Sequence, residues 1–143
     1  MDLKVVEIDD PAARICSQDI LFTGKEIFIG INNKTTNLNG ACSIAKTFPE
    51  YSVQPIEMPQ GANMPLKNYV SVGGKGFLLM SESNKHSKFI IEAICKNGKY
   101  LYEYLDVPDV KAINSIYING TLLHLSKEII GESHKVKLFL PLI

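Results

Sequence analysis

Apolar and polar positions along the chain fall into a unit that recurs three times: strand, turn, strand, helix, strand. The first copy opens on Asp19 to Phe22, turns through Thr23-Gly24-Lys25-Glu26 and returns as Ile27 to Ile31. The second opens on Lys67 to Val72, turns at Gly73 to Gly76 and returns as Phe77 to Met80. The third opens on Ala112 to Ile118, turns at Asn119-Gly120 and returns as Thr121 to Leu125. Asn-Gly between two apolar runs predicts a type I′ hairpin, whose two central residues need positive φ. Glycine serves the other two turns for the same reason.

A helix is predicted after each hairpin. In the first, Thr36-Asn37 caps the start, and Leu38, Ala41, Cys42, Ala45 and Phe48 fall at helical spacing. In the second, Ser83 is the expected cap, Phe89, Ile90, Ala93 and Ile94 form the expected buried face, and Asn97-Gly98 a left-handed stop. The third is weaker: Ser126 caps a short turn, and Glu132 to Leu138 follows Gly131. Closing strands are predicted at Val53 to Glu57, Tyr100 to Leu105 and Phe139 to Ile143. Leu3 to Ile8 reads as the last strand of a preceding unit.

The openings at Asp19, Lys67 and Ala112 stand 48 and 45 residues apart, a period that predicts stacked or radially arranged α/β units sharing a core. The expected organisation is one domain over residues 1–143, with units at about 19–57, 66–107 and 112–143. Three such units leave open edges, which predicts self-association.

Charge narrows the partners. Fifteen basic and fifteen acidic residues give zero formal net charge, so no whole-chain field draws in nucleic acid or anionic lipid. The N-terminal residues carry an early acid and no long apolar run, so neither a leader peptide nor a membrane anchor is expected. The cysteines Cys16, Cys42 and Cys95 are odd in number and lack metal-ligand spacing, which predicts a reduced, cytoplasmic protein without disulfides, metal or cofactor. On that reading the sequons at Asn33 and Asn119 are chance matches.

Several segments, in order, resemble dimethylarginine dimethylaminohydrolase: Asp19 to Gly30, Thr36-Asn37 with Gly40-Ala41, Thr47-Phe48 with Tyr51 to Val53, and Ser81 to Ser83. Leu105 to Asp109, Ile116 to Asn119 and Leu122 to His124 continue the match. The resemblance implies the pentein fold, a five-bladed α/β propeller of which this chain carries about three strand-strand-helix-strand units. It also implies the family reaction, hydrolysis of methylated arginine to citrulline and a methylamine, with a place in arginine metabolism and nitric oxide regulation. In that chemistry a cysteine thiolate attacks the guanidinium carbon, a histidine protonates the departing amine, and carboxylates grip the guanidinium.

The resemblance puts the family nucleophile beyond Ile143, the family histidine at Pro65 and a family acid at Cys16, the start of an Asp-Gly-Gly-Asp run that here reads Cys16-Ser-Gln-Asp19. An Arg that binds the substrate carboxylate corresponds to Lys34, which keeps the charge but loses the bidentate fork. The expected protein is catalytically incomplete, with methylated arginine as its ligand. The alternatives are an enzyme completed by another chain, and a binding or regulatory protein reusing the propeller surface, as a pentein anti-association factor does on ribosomal subunits. Cys42 and Cys95 are expected to be buried packing residues, whereas Cys16 lies in a loop near the substrate-facing region. His124 reads as a satisfied strand histidine, and His86 and His134 as surface residues on helices. Asp109, in Val107-Pro108-Asp109, is expected to turn or cap the chain, and Gly73 to Gly76 lacks the spacing and following helix of a phosphate loop.

Overall fold

The computed structural model describes residues 2–138. Its first unit is a three-stranded sheet in the order β1 (Ile20–Phe22), β2 (Glu26–Ile31), β3 (Ser52–Glu57), with α1 (Leu38–Thr47) crossing between the last two strands. The hairpin β1–β2 is antiparallel and the β2–β3 pair parallel, which is why a helical crossover is needed there. The second unit repeats this with β4 (Val70–Gly74), β5 (Phe77–Met80), α2 (Ser87–Asn97) and β6 (Glu103–Asp106). The third has the hairpin β7 (Ile116–Ile118) and β8 (Thr121–Leu123), the one-turn helix α3 (Lys127–Ile130) and a 3-10 stretch over Gly131–Leu138. Its predicted closing strand lies outside the described residues.

Alternation along the central strands stacks the units. Ile27, Ile29 and Ile31 pack on α1 through Ala41 and Ile44, while Phe28 faces the other way. There it meets Ile90, Ile91 and Ile94 of α2 and Leu78 and Met80 of β5, so α2 is sandwiched between the first and second sheets. Leu79, one residue out of phase with its neighbours, packs instead against Ala112, Ile113 and Ile130 of the third unit. Among the described residues the architecture is mixed α/β, with three small sheets and three helices.

Turn chemistry follows the sequence closely. Asn119 and Gly120 adopt φ of 49° and 80°, and Gly24 and Gly76 adopt 87° and 75°. Gly73 has a different reason to be glycine: a Cβ there would lie 2.7 Å from Leu79 Cγ, beside the register shift between Val72 and Gly74. Asn37 caps α1, its side chain accepting from Gly40 N at 2.9 Å.

Several expectations are corrected. The predicted apolar stripe of α1 is largely turned outward: Leu38, Cys42, Ala45 and Phe48 are exposed, and the buried face is Gly40, Ala41 and Ile44. Cys42 is therefore not a buried packing residue; only the neighbouring Ala41 meets the sheet. Phe89 is likewise exposed while Ile91 is buried, a rotation of the predicted face of α2 by about one residue. Ser83 does not cap α2, which starts four residues later; its hydroxyl shares a hydrogen bond with Ser81 Oγ at 2.6 Å. Gly98 is not a left-handed stop, since its φ of −65° is open to any residue. The constraint on a side chain there is crowding: a Cβ would lie 3.0 Å from Glu26 Oε1 and from the Ile94 carbonyl oxygen, and 3.1 Å from Phe28 Cζ. Leu3 to Ile8 pairs with no described strand, leaving Leu3, Val5, Val6 and Ile8 exposed. Lys67 and Asn68, read as strand, form a 3-10 turn.

Candidate functional site

A short 3-10 turn precedes the first strand of every unit: Ser17–Asp19, Leu66–Asn68 and Val110–Ile113. The first two pack on each other through a single buried carboxylate. Asp19, fully inaccessible, accepts from Thr36 Oγ1 at 2.7 Å, Thr35 Oγ1 at 2.9 Å and Asn32 Nδ2 at 3.2 Å. Its other oxygen accepts from Leu66 N at 3.1 Å, a bond that crosses from the first unit to the second. Desolvating a carboxylate is costly, and here hydroxyl, amide and backbone donors compensate in place of a cation.

This hub gathers the positions singled out in the sequence. Cys16 is half-buried three residues before Asp19, and its backbone N–H donates to Thr36 Oγ1 at 2.9 Å. Pro65 sits beside Leu66 with φ −61° and ψ 159°, a conformation natural to proline at the entry of a turn. Lys34 is exposed in the loop after β2, whose shape is set by Asn32 Oδ1 accepting from Lys34 N at 2.8 Å and Thr35 N at 2.9 Å. Asn33 in the same loop takes a φ of 59°, and its carbonyl accepts from Arg14 Nη2 at 2.8 Å.

The remaining candidates lie elsewhere. Cys95 packs beside the core between the first two units, and burial pushes its thiol above the ordinary range, toward the protonated and unreactive form. His124 falls just beyond β8, with Nδ1 2.7 Å from the Leu125 carbonyl. His86 is half-buried at the residue before α2 rather than on it, edge-on to Tyr69 with ring centroids 6.0 Å apart. His134 lies in the 3-10 stretch with Nδ1 2.8 Å from the Gly131 carbonyl. Asp109 caps the third turn, accepting from Lys111 N at 2.8 Å. Among the described residues no group of three His, Cys, Asp or Glu side chains is placed to hold a metal ion, and no helix is long and apolar enough to cross a membrane.

Beside the hub opens a cleft of about 590 Å³ into which all three turns project. Gln18, Asn68 and Asn114 line it, each two residues before the first strand of its unit. Lys67 and Lys111 stand among these amides, and Met64 and Val110 supply apolar wall. Sequence reading passed over this triad of amides. It becomes visible only when the repeat is registered on the strand starts, which the 3-10 turns had blurred.

Comparison with known proteins places this architecture. The chain is 30% identical over 122 residues to human Putative hydrolase DDAH2, covering 85% of this chain and 41% of that protein. A solved dimethylarginine dimethylaminohydrolase adduct with 4-chloro-2-hydroxymethylpyridine superposes with a TM-score of 0.62 at 14% identity, over 90% of this chain and 49% of that one. The enzyme from Pseudomonas aeruginosa complexed with citrulline gives 0.61 at 14% identity, over 91% and 46%. No family model matches the sequence. The chain thus spans less than half the length of the relatives it matches. Over that length it is similar in sequence to a dimethylarginine dimethylaminohydrolase-like protein and similar in fold to solved dimethylarginine dimethylaminohydrolases, as a divergent, partial-length relative.

Proposed function

We propose that this chain is a dimethylarginine dimethylaminohydrolase-like module that keeps the family's propeller frame and does not by itself carry out guanidine hydrolysis. One observation carries the reading. Asp19 ties the first unit to the second through its hydrogen bonds, and the two nearby positions that the resemblance assigns to an acid and to the histidine hold Cys16 and Pro65. Proline has no side-chain group that exchanges a proton, so the departing amine would lack its acid at that place. Losing one member of a catalytic unit usually costs several orders of magnitude, because the others act only through it.

The second reading, a binding module that uses the cleft, is favoured by the cleft's lining of lysines, amides and apolar side chains, which supplies recognition groups without an acid–base pair. Incubating the purified chain with asymmetric dimethylarginine and assaying citrulline tests the first reading. No citrulline is expected. Citrulline release that survives Cys16→Ser would overturn it and demand another nucleophile, and release abolished by Cys16→Ser would make Cys16 that nucleophile.

A further inference from the structure

The described lining of the cleft is basic and rich in amides. Among the described residues no carboxylate lines it; Lys67 and Lys111 do, together with Gln18, Asn68 and Asn114. A second hollow of about 460 Å³ shares Met64, Asn84 and Val110 with it and extends the same character, adding Lys85 and His86 but again no Asp or Glu among the described residues. The chain as a whole carries equal numbers of acidic and basic residues, so this one-signed lining is a local feature and not the reflection of a basic protein. Of the acids adjoining lining residues, Asp19 is buried under four hydrogen bonds and the Asp109 carboxylate faces the backbone of its own turn, while Glu82, next to Ser83, is exposed and is not among the lining residues.

From this composition we infer that the joined cleft binds a small organic polyanion, with Lys67 and Lys111 pairing its carboxylate or phosphate groups and the amide triad bonding its neutral oxygens. The assignment rests on the binding reading given above and deepens it. Ammonium groups act on such anions as mobile point charges, which suits carboxylate and phosphate alike. The three amides can each donate or accept, so they hold hydroxyl or carbonyl oxygens without adding charge. A pocket of this size fits a metabolite and not a polymer backbone.

The test is calorimetric titration of the full chain, at about 0.15 M salt to screen loose surface attraction, with citrate, pyrophosphate and asymmetric dimethylarginine as probes. Citrate or pyrophosphate is expected to bind more tightly than the dimethylarginine, and the tighter of the two identifies the head group. Lys67→Gln and Lys111→Gln are each expected to weaken that binding about tenfold, the scale of one charge-assisted hydrogen bond. Lys96→Gln, on the exposed side of α2, should leave it unchanged, and Lys111→Arg should restore it. Binding of neither anion, tighter binding of dimethylarginine, or an affinity unaltered in either cleft variant would overturn the assignment. Citrulline production is read on the same samples, so failure of the anion site and failure of the non-catalytic reading remain separate results.

Discussion

A buried carboxylate closes each end of the junction between the first and second units, and the two are held in different company. Asp19, before β1, is gripped by the side chains of the loop after β2 and by one backbone N–H of the second unit. Glu26, at the start of β2 and equally inaccessible, accepts almost entirely from the second unit: Lys99 N at 3.1 Å, Tyr100 N at 3.3 Å and Tyr102 Oη at 2.8 Å. Lys25 lies 5.0 Å above the Tyr100 ring, and Tyr102 also shares a hydrogen bond with Thr23 at 2.9 Å, so aromatic side chains roof that end. The Asp19 end, by contrast, leads through Gln18 into the open cleft. The same device thus serves two purposes: at Glu26 it fastens one unit to the next, and at Asp19 it also fixes the loops that border the cleft.

The comparison can be broken most forcefully at Asp19. Asp19→Ala should cost about 3 kcal/mol or more, because the buried Thr36 hydroxyl and Leu66 N–H lose their acceptor together. A urea unfolding midpoint close to wild type would show that these donors find other partners. Glu26→Gln should cost about 2 kcal/mol in the same assay, since the amide keeps one oxygen but turns an N–H toward donors it had accepted from. The loss at Glu26 should leave anion titration at the cleft unchanged; a parallel loss of binding would mean that the two ends are not independent.

Smaller changes sharpen the picture. Gly98→Ala should destabilise by about 1–2 kcal/mol through crowding of Glu26 and Phe28, and a neutral result would show the junction to be looser than its contacts imply. Tyr102→Phe should cost about 1 kcal/mol and carry a pH signature. Burial first, and then Glu26, push the Tyr102 hydroxyl up to about 12 from an ordinary value of 10.0. A raised folded value means the stabilisation is complete below about pH 10 and drains away as pH rises toward 12. The difference in stability between wild type and Tyr102→Phe should therefore shrink over that interval, and a difference that grows with pH would contradict the assignment.

How much was legible beforehand can be judged element by element. The three hairpins and their turns were readable because a two-residue period and a positive φ leave marks within a few residues, as Asn119-Gly120 does. The side of α1 that faces the sheet was misread because Leu38, Cys42, Ala45 and Phe48 satisfy helical spacing as well as Ala41 and Ile44 do. Spacing fixes a stripe, and only the position of the neighbouring sheet decides which stripe is buried. Gly98 shows the same limit: glycine after a helix suggested a left-handed stop, while part of the crowding at that position comes from Glu26 and Phe28, 72 and 70 residues earlier.

By itself the sequence determined the repeat, the family resemblance and the absence of a proton-transferring side chain at position 65, because each is written in neighbouring residues. The tertiary structure decided that Asp19 and Glu26 are buried hubs and that Gln18, Asn68 and Asn114 meet around one cleft with Lys67 and Lys111. Those residues lie tens of positions apart, and a hydrogen bond or a shared cavity between them exists only after the units have stacked.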